Sequence, residues 1–121
     1  MIETVLSEEI LLAVFYKSGS EVRIKTDKQF TNIFDEAARS LQRFSQFKAH
    51  PQYKYSRTLN DAVQTLILGG SITREGLSDQ IHITSHTLGP YGERVFQSLD
   101  GNLRTAVDEV AKKIRKAYSP K

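Results

Sequence analysis

The chain has 121 residues, 39% of them hydrophobic and 26% charged, which suits one domain around a real core. It contains no cysteine, which excludes disulfides and thiolate metal sites. Its first residues lack the pattern of a signal peptide, and its longest apolar run, residues 10–16, is too short to cross a bilayer. We therefore expect a cytoplasmic protein with no membrane contact.

The net charge of +3 is unevenly distributed along the sequence. Residues 21–58 contain eight basic and four acidic side chains, and residues 102–121 contain six basic and two acidic ones. Residues 59–101 contain five acidic side chains against two basic ones. Positive charge is therefore concentrated in the middle and at the C-terminal end of the chain.

The first half of the chain is typical of two helices joined by a short extended segment. Ser7 is a suitable N-cap for a first helix, which the sequence Lys-Ser-Gly at 17–19 would end. Residues 21–25 alternate between charged and apolar side chains, as a strand or an extended connection does. Apolar residues then recur every three or four positions, which predicts one helix of about twenty residues over 28–47. Pro51 disfavours helical geometry in the residue before it and ends this helix.

A third helix and a hairpin follow. Thr58, with Asp61 three residues later, approximates a capping box, so the helix should begin at Thr58. The glycine pair at 69–70 should end it. Residues 72–74 and 80–84 then predict two short strands on either side of a loop, since apolar and polar side chains alternate in the return strand.

Two more helices complete the chain. Proline is acceptable at a first helical position, so one helix should start at Pro90. The last helix should run over about 103–117, after a break at 100–102. The predicted fold is thus mainly α with a small β-hairpin, in a single domain that spans residues 1–121, with 102–121 as a C-terminal helix.

The segment TLNDAVQTLILGGSITRE, followed by QIHIT, resembles the helix and wing of winged-helix regulators such as the PadR and MarR groups. Residues 8–99 follow the same order of elements. The resemblance implies a single winged-helix-like domain, in which DNA-binding transcription regulation is a frequent function. Two features depart from the pattern, namely the helix of about twenty residues over 28–47 and the acidic wing. The matching positions are Leu59, Leu66, Gly70, Ile72, Ile83 and Thr84.

The leading hypothesis is a DNA-binding regulator without enzymatic activity. In such a protein one helix offers side chains to base edges, while basic residues contact phosphates. Asn60 and Gln64 carry amides that can pair with adenine. The basic residues beside this helix and at the base of the wing would contact phosphates. The predicted contacts with double-stranded DNA are Lys54, Arg57, Thr58, Asn60, Gln64 and Arg74.

The same helix has a second interpretation. No Lys or Arg lies within residues 58–72, and Asp61, Glu75 and Asp79 would face the phosphates if the wing lay in a groove. The polar side chains would then form only a solvated helix face. In this alternative the protein is a protein-interaction module that keeps the winged-helix fold and does not bind DNA.

The last helix carries an apolar stripe that predicts either a dimer seam or a contact with the protein's own core. Two heptads do not separate these alternatives, and we favour a homodimer. The basic residues within 112–116 suit a helix C-terminus, whether they are solvated or touch nucleic acid. The stripe consists of Leu103, Val107, Val110 and Ile114.

The sequence gives little support for catalysis or for metal binding. His82 and His86 lie near Asp79 but lack the spacing of an HExxH motif. The chain has no nucleophile elbow, and its glycines are too scattered for a phosphate loop. We therefore expect no enzymatic activity, no cofactor and no metal.

Overall fold

The computed structural model describes residues 6–19, 22–52, 56–74 and 80–118. These residues form six α-helices, one 3₁₀ helix and a two-stranded antiparallel hairpin, so the predicted mainly α fold with a small hairpin is confirmed. No helix within these ranges is long and apolar enough to cross a membrane. In chain order the elements are α1 (Ser7–Ser18), α2 (Lys28–Ser40), the 3₁₀ helix (Gln42–Phe47), α3 (Arg57–Leu68), β1 (Ile72–Arg74), β2 (Ile81–Ile83), α4 (Ser85–Leu88), α5 (Pro90–Ser98) and α6 (Gly101–Tyr118).

The core is built around α1, whose central residues are buried on every side. Its residues 10–15 are each at most 3% exposed, because α3, α5 and α6 all pack against it. The predicted end of this helix is confirmed at Gly19, whose φ of 82° favours glycine. The predicted Ser7 cap is wrong. Leu6 is the N-cap, and its backbone N–H donates to Glu9 Oε1 at 3.2 Å.

The predicted single helix over 28–47 is wrong, because α2 stops at Ser40 after 13 residues. Leu41 leaves the helical region with φ of −122° and ψ of 114°. A continuous helix turns about 100° per residue, so Phe34 and Phe47 would point roughly 140° apart. The break instead brings both rings into the core with their centroids 5.4 Å apart. Aromatic burial thus explains where α2 ends.

Both predicted strands of the hairpin are confirmed, although β2 is shorter than the 80–84 segment. Ile72 and Ile81 are at most 1% exposed, so one face of the hairpin covers the core. The antiparallel register pairs Ile72 with Ile83, Thr73 with His82 and Arg74 with Ile81.

The stretch predicted over 21–25 as a strand or an extended connection forms no strand in its described residues 22–25, which meet the hairpin at Ile24 and Lys25. The Ile81 N–H donates to the Ile24 carbonyl at 2.8 Å. Lys25 forms an antiparallel bridge with Gln80. The hairpin is therefore extended on one edge by a segment more than fifty residues earlier in the chain.

α5 begins at Pro90 as predicted, whereas no sequence pattern predicts α4. The hydroxyls of Thr84 and Thr87 both donate to the Ser71 carbonyl, at 2.9 and 2.7 Å. These bonds fasten the start of β1 to the short helix that follows β2.

α6 is the last element of the described chain, and it packs along α1. The predicted helix over 103–117 is confirmed, with slightly wider bounds. Asp100 Oδ1 accepts from the Leu103 N–H at 2.9 Å, and its Oδ2 accepts from Arg43 at 2.7 Å. These two contacts, the backbone bond first, lower the pKa of the Asp100 carboxyl below its ordinary value. Asp100 thus ties the start of α6 to the 3₁₀ helix, which contains Arg43.

Candidate nucleic-acid interface

α3 is held against the core by one face and leaves the opposite face in solvent. The helix begins one residue before Thr58, because the Ser56 hydroxyl caps it and accepts from the Leu59 N–H at 3.2 Å. The predicted capping box of Thr58 and Asp61 is therefore wrong. The predicted end is confirmed, since Gly69 caps the helix and Gly70 follows with φ of 78°. The buried face consists of Leu59, Ala62, Val63 and Leu66.

The outward face of α3, which we define as Arg57, Asp61, Gln64 and Leu68, has no net charge. Steps of four, three and four residues place these side chains on one line along the helix. Arg57 Nε lies 3.9 Å from Asp61 Oδ2, in a loose and exposed ion pair. Leu68, at the C-terminal end of the line, is 88% exposed. Two of the predicted DNA contacts, Arg57 and Gln64, lie on this face.

Thr58 and Asn60 lie beside the outward face of α3 and are only half-exposed. Asn60 lines a cavity of about 100 Å³ between the first turns of α2 and α3. These two predicted contacts are therefore less accessible to a groove than Gln64. The other residues that line the cavity are Thr26, Phe30, Thr31, Ser56, Leu59 and Val63.

Arg74 is exposed at the end of β1, opposite the buried Ile81 in the register. Directly paired residues share a face, so Arg74 projects on the side of the hairpin that packs against the helices. It forms no ion pair with any residue that the structure describes. The predicted phosphate contact Lys54 and the acidic wing residues Glu75 and Asp79 lie outside the described residues.

A second exposed surface, which is not among the predicted contacts, lies on the opposite side of the sheet. Arg23 and Lys25 are exposed, as are Thr73 and His82. The register places Lys25 opposite Gln80 and Thr73 opposite His82, so these side chains share one face. The alternation over 21–25 indicates that Arg23 and Lys25 share one side of the segment, but it does not indicate that this side continues onto β2. We define the outer sheet face as Arg23, Lys25, Thr73, Gln80 and His82.

The predicted dimer seam on α6 lies inside the single chain. Its four residues are each at most 1% exposed and belong to the core that α6 shares with α1. The apolar stripe therefore covers the protein's own core, which corrects the assignment of these residues to a dimer interface. A homodimer stays a prediction, without a seam formed by this stripe. The four residues are Leu103, Val107, Val110 and Ile114.

The basic C-terminal end of α6 is divided between contacts to α1 and solvent. Arg115 donates to the Lys17 carbonyl, and the Lys17 ammonium lies 3.5 Å from Asp108 Oδ1. The remaining cations of this end are exposed and accessible to an anionic partner. They are Lys112, Lys113 and Lys116.

The two histidines near the hairpin have different surroundings. His82 is exposed on the outer sheet face, whereas His86 stacks on the Tyr91 ring with a centroid distance of 4.5 Å. In the described ranges, no three His, Asp or Glu side chains come together as ligands for a metal ion.

The order of α1, the extended segment, α2, α3 and the hairpin is compatible with a winged helix. Comparison with protein-family models, with curated proteins and with solved structures gave no match. Function is therefore inferred from the outward face of α3 and the outer sheet face.

Proposed function

We propose that the protein is a non-enzymatic regulator that binds double-stranded DNA, with the outward face of α3 in a groove and the hairpin beside it. The presentation of α3 is the observation that supports this most. Four buried residues anchor the helix, while Arg57 and Gln64 remain exposed on its other side. A helix held in this way fits the width of the major groove.

The exposed residues divide into two roles in this complex. Arg57 and Arg74 contact phosphates, because a guanidinium offers several donors to phosphate oxygens. Gln64 contacts a base edge, since its amide can pair bidentately with adenine. Thr58 and Asn60 contribute less because they are only half-exposed. Lys54 stays a predicted phosphate contact.

Fluorescence polarisation with a short mixed-sequence duplex over a series of salt concentrations tests this function. Non-specific binding should be detectable at about micromolar protein in low salt and should weaken as salt rises. Arg57→Gln and Arg74→Gln should each reduce the slope of log affinity against log salt by about 0.9, the value for one phosphate contact.

The matched control is Arg94→Gln, which removes an exposed arginine from α5 rather than from α3 or the hairpin. This variant should keep the wild-type slope. A wild-type protein that shows no binding in low salt contradicts the proposed function.

A second candidate is a protein-interaction module, and the exposure of Leu68 favours it. A leucine that is 88% exposed on a helix face without net charge suits a contact with another protein better than one with a phosphate backbone. The two functions differ in the same binding assay. A protein-interaction module gives no salt-dependent DNA binding, and the Arg57 and Arg74 variants then change nothing.

A further inference from the structure

The outer sheet face presents hydrogen-bond donors and positive charge. Arg23 and Lys25 lie two positions apart on one extended segment, so their Cα atoms are roughly 6–7 Å apart. Neither cation forms an ion pair with a described residue. The neighbouring side chains on this face are a hydroxyl, an amide and an imidazole, and no described residue of the face is acidic. The face therefore attracts anions, unlike the outward face of α3.

The backbone beneath this face is fixed by contacts with two other parts of the chain. The Ile81 N–H bonds to Ile24 on one side of the segment. On the other side, the Arg23 N–H donates to the Tyr118 carbonyl at 3.1 Å. The Tyr118 hydroxyl in turn donates to Asp27 Oδ1 at 2.8 Å. Because the backbone is held on both sides, binding requires little ordering of the main chain that carries the cations.

The chemistry of the face selects among anionic partners. The face spans β1, β2 and the extended segment that is bridged to β2, and such a broad polar surface suits a repeating polyanion better than a single small anion. None of its described residues is a Phe, Tyr or Trp on which an unpaired base could stack, so single-stranded nucleic acid gains little there. A duplex offers its phosphates without any need for stacking.

We propose that the outer sheet face binds the sugar-phosphate backbone of duplex DNA, with Arg23 and Lys25 as the two phosphate contacts. The partner is the one named in the proposed function, so the inference rests on that proposal, but the surface is a different one. Contacts of this kind are independent of base sequence. They add an electrostatic contribution to the affinity for DNA, which the outward face of α3, with no net charge, does not supply.

Three double variants test the proposal in the polarisation assay. Arg23→Gln with Lys25→Gln removes both cations of the outer sheet face. Arg57→Gln with Arg74→Gln removes the cations next to the groove. Lys48→Gln with Arg94→Gln is the matched control, since it also removes two exposed positive charges from other elements. Thermal unfolding of each variant confirms that it is folded.

The outer-face variant should lose roughly tenfold or more in affinity at low salt, and its salt slope should fall by about 1.8, the value for two phosphate contacts. The control should keep the wild-type slope. Lys25→Arg, which keeps the charge, should bind as the wild type does. Loss of binding in the outer-face variant together with unchanged binding in the groove variant supports this face and contradicts the role of α3.

Three results overturn the proposal. In the first, the Arg23 and Lys25 double variant keeps the wild-type affinity and salt slope, while the Arg57 and Arg74 double variant binds DNA more weakly. This result leaves the proposed function intact. The second is an equal loss in the Lys48 and Arg94 control, which shows an effect of net charge alone. The third is a wild-type protein that does not bind duplex DNA, which removes the proposed function as well.

Discussion

The outward face of α3 and the outer sheet face are both exposed, but they differ in charge. On α3, the guanidinium of Arg57 lies 3.9 Å from the Asp61 carboxylate, and the line of side chains ends in the exposed Leu68. On the sheet, Arg23 and Lys25 share their face with polar side chains and with no acid among the described residues. The outward face of α3, the helix predicted to contact DNA bases, is thus less basic than the outer sheet face.

Shape and charge therefore point to different parts of the protein. A protruding helix suits the reading of base edges, whereas cations on an open sheet suit phosphates, which position a protein without specifying a sequence. In a protein that used both surfaces, the outer sheet face would supply affinity for DNA and the outward face of α3 would supply sequence specificity.

The largest expected effect is on the free energy of unfolding, and it should differ between the buried face of α3 and its outward face. Leu66 is 5% exposed and Leu68 is 88% exposed on the same helix. Leu66→Ala should lower the free energy of unfolding by about 2–5 kcal/mol, since it removes buried methyl groups and leaves a cavity. Leu68→Ala should change it by less than about 0.5 kcal/mol. Urea denaturation followed by circular dichroism measures both.

The pair of variants also contains its own control, because both are Leu→Ala changes two residues apart. A large loss of stability in Leu68→Ala would mean that the outward face belongs to the core. The face would then not be available to a DNA groove, and the comparison between the two surfaces would fail.

The fold was predictable where the signal is carried by a few consecutive residues. The glycines at 19 and 69–70 end helices, and the alternation around His82 gives a strand. The end of α2 was not predictable in this way. It depends on the contact between Phe34 and Phe47, which lie thirteen positions apart and meet only after the helix has stopped.

Arg74 is exposed at the end of β1, although strand alternation places it on the same face as the buried Ile72 and Ile81. The exposure of Arg57 and Gln64 was predictable from the helix period. The outer sheet face was not, because it forms only when the extended segment near Lys25 pairs with β2. The apolar stripe of α6 illustrates a similar limit. Its spacing correctly indicated burial, but spacing does not say whether the covering surface belongs to the same chain or to a second copy.

Tyr118 connects α6 to the segment that carries Arg23. The Tyr118 hydroxyl donates to Asp27 Oδ1, and its carbonyl accepts from the Arg23 N–H. Tyr118→Phe removes only the hydroxyl bond, and Asp27 Oδ1 keeps the Phe30 N–H as a donor at 3.0 Å. The free energy of unfolding should therefore fall by about 1 kcal/mol, measured by urea denaturation near pH 7.

The pH dependence of this variant gives its control. Burial, and then the Asp27 carboxylate, raise the pKa of the Tyr118 hydroxyl above the ordinary value. The unfolded chain therefore releases this proton first as the pH rises above about 10, so the wild type loses stability there. Tyr118→Phe should lack this loss, and the difference between the two proteins should shrink above about pH 10. A constant difference would show that the hydroxyl ionises equally in both states.

The smallest expected effects have opposite signs on the two faces. Asp61→Asn removes the carboxylate beside Arg57, whereas Thr73→Glu adds one to the outer sheet face opposite His82. Two unit charges about 7 Å apart in water interact by about 0.6 kcal/mol, so each change should alter the affinity for duplex DNA about threefold at low salt. Asp61→Asn should strengthen binding and Thr73→Glu should weaken it. Both effects should fade at high salt, because mobile ions screen exposed charges.

The two affinity changes should be similar in size but opposite in sign, so their signs distinguish the faces. Thr73→Gln, which adds length without charge, is the control for the sheet variant and should bind as the wild type does. An unchanged affinity in Thr73→Glu would place the DNA away from the outer sheet face. An unchanged affinity in Asp61→Asn would place it away from α3, since a phosphate near Arg57 would also be near the carboxylate. Effects in both variants would mean that one duplex lies within reach of both faces, with α3 in its groove and the sheet against its backbone.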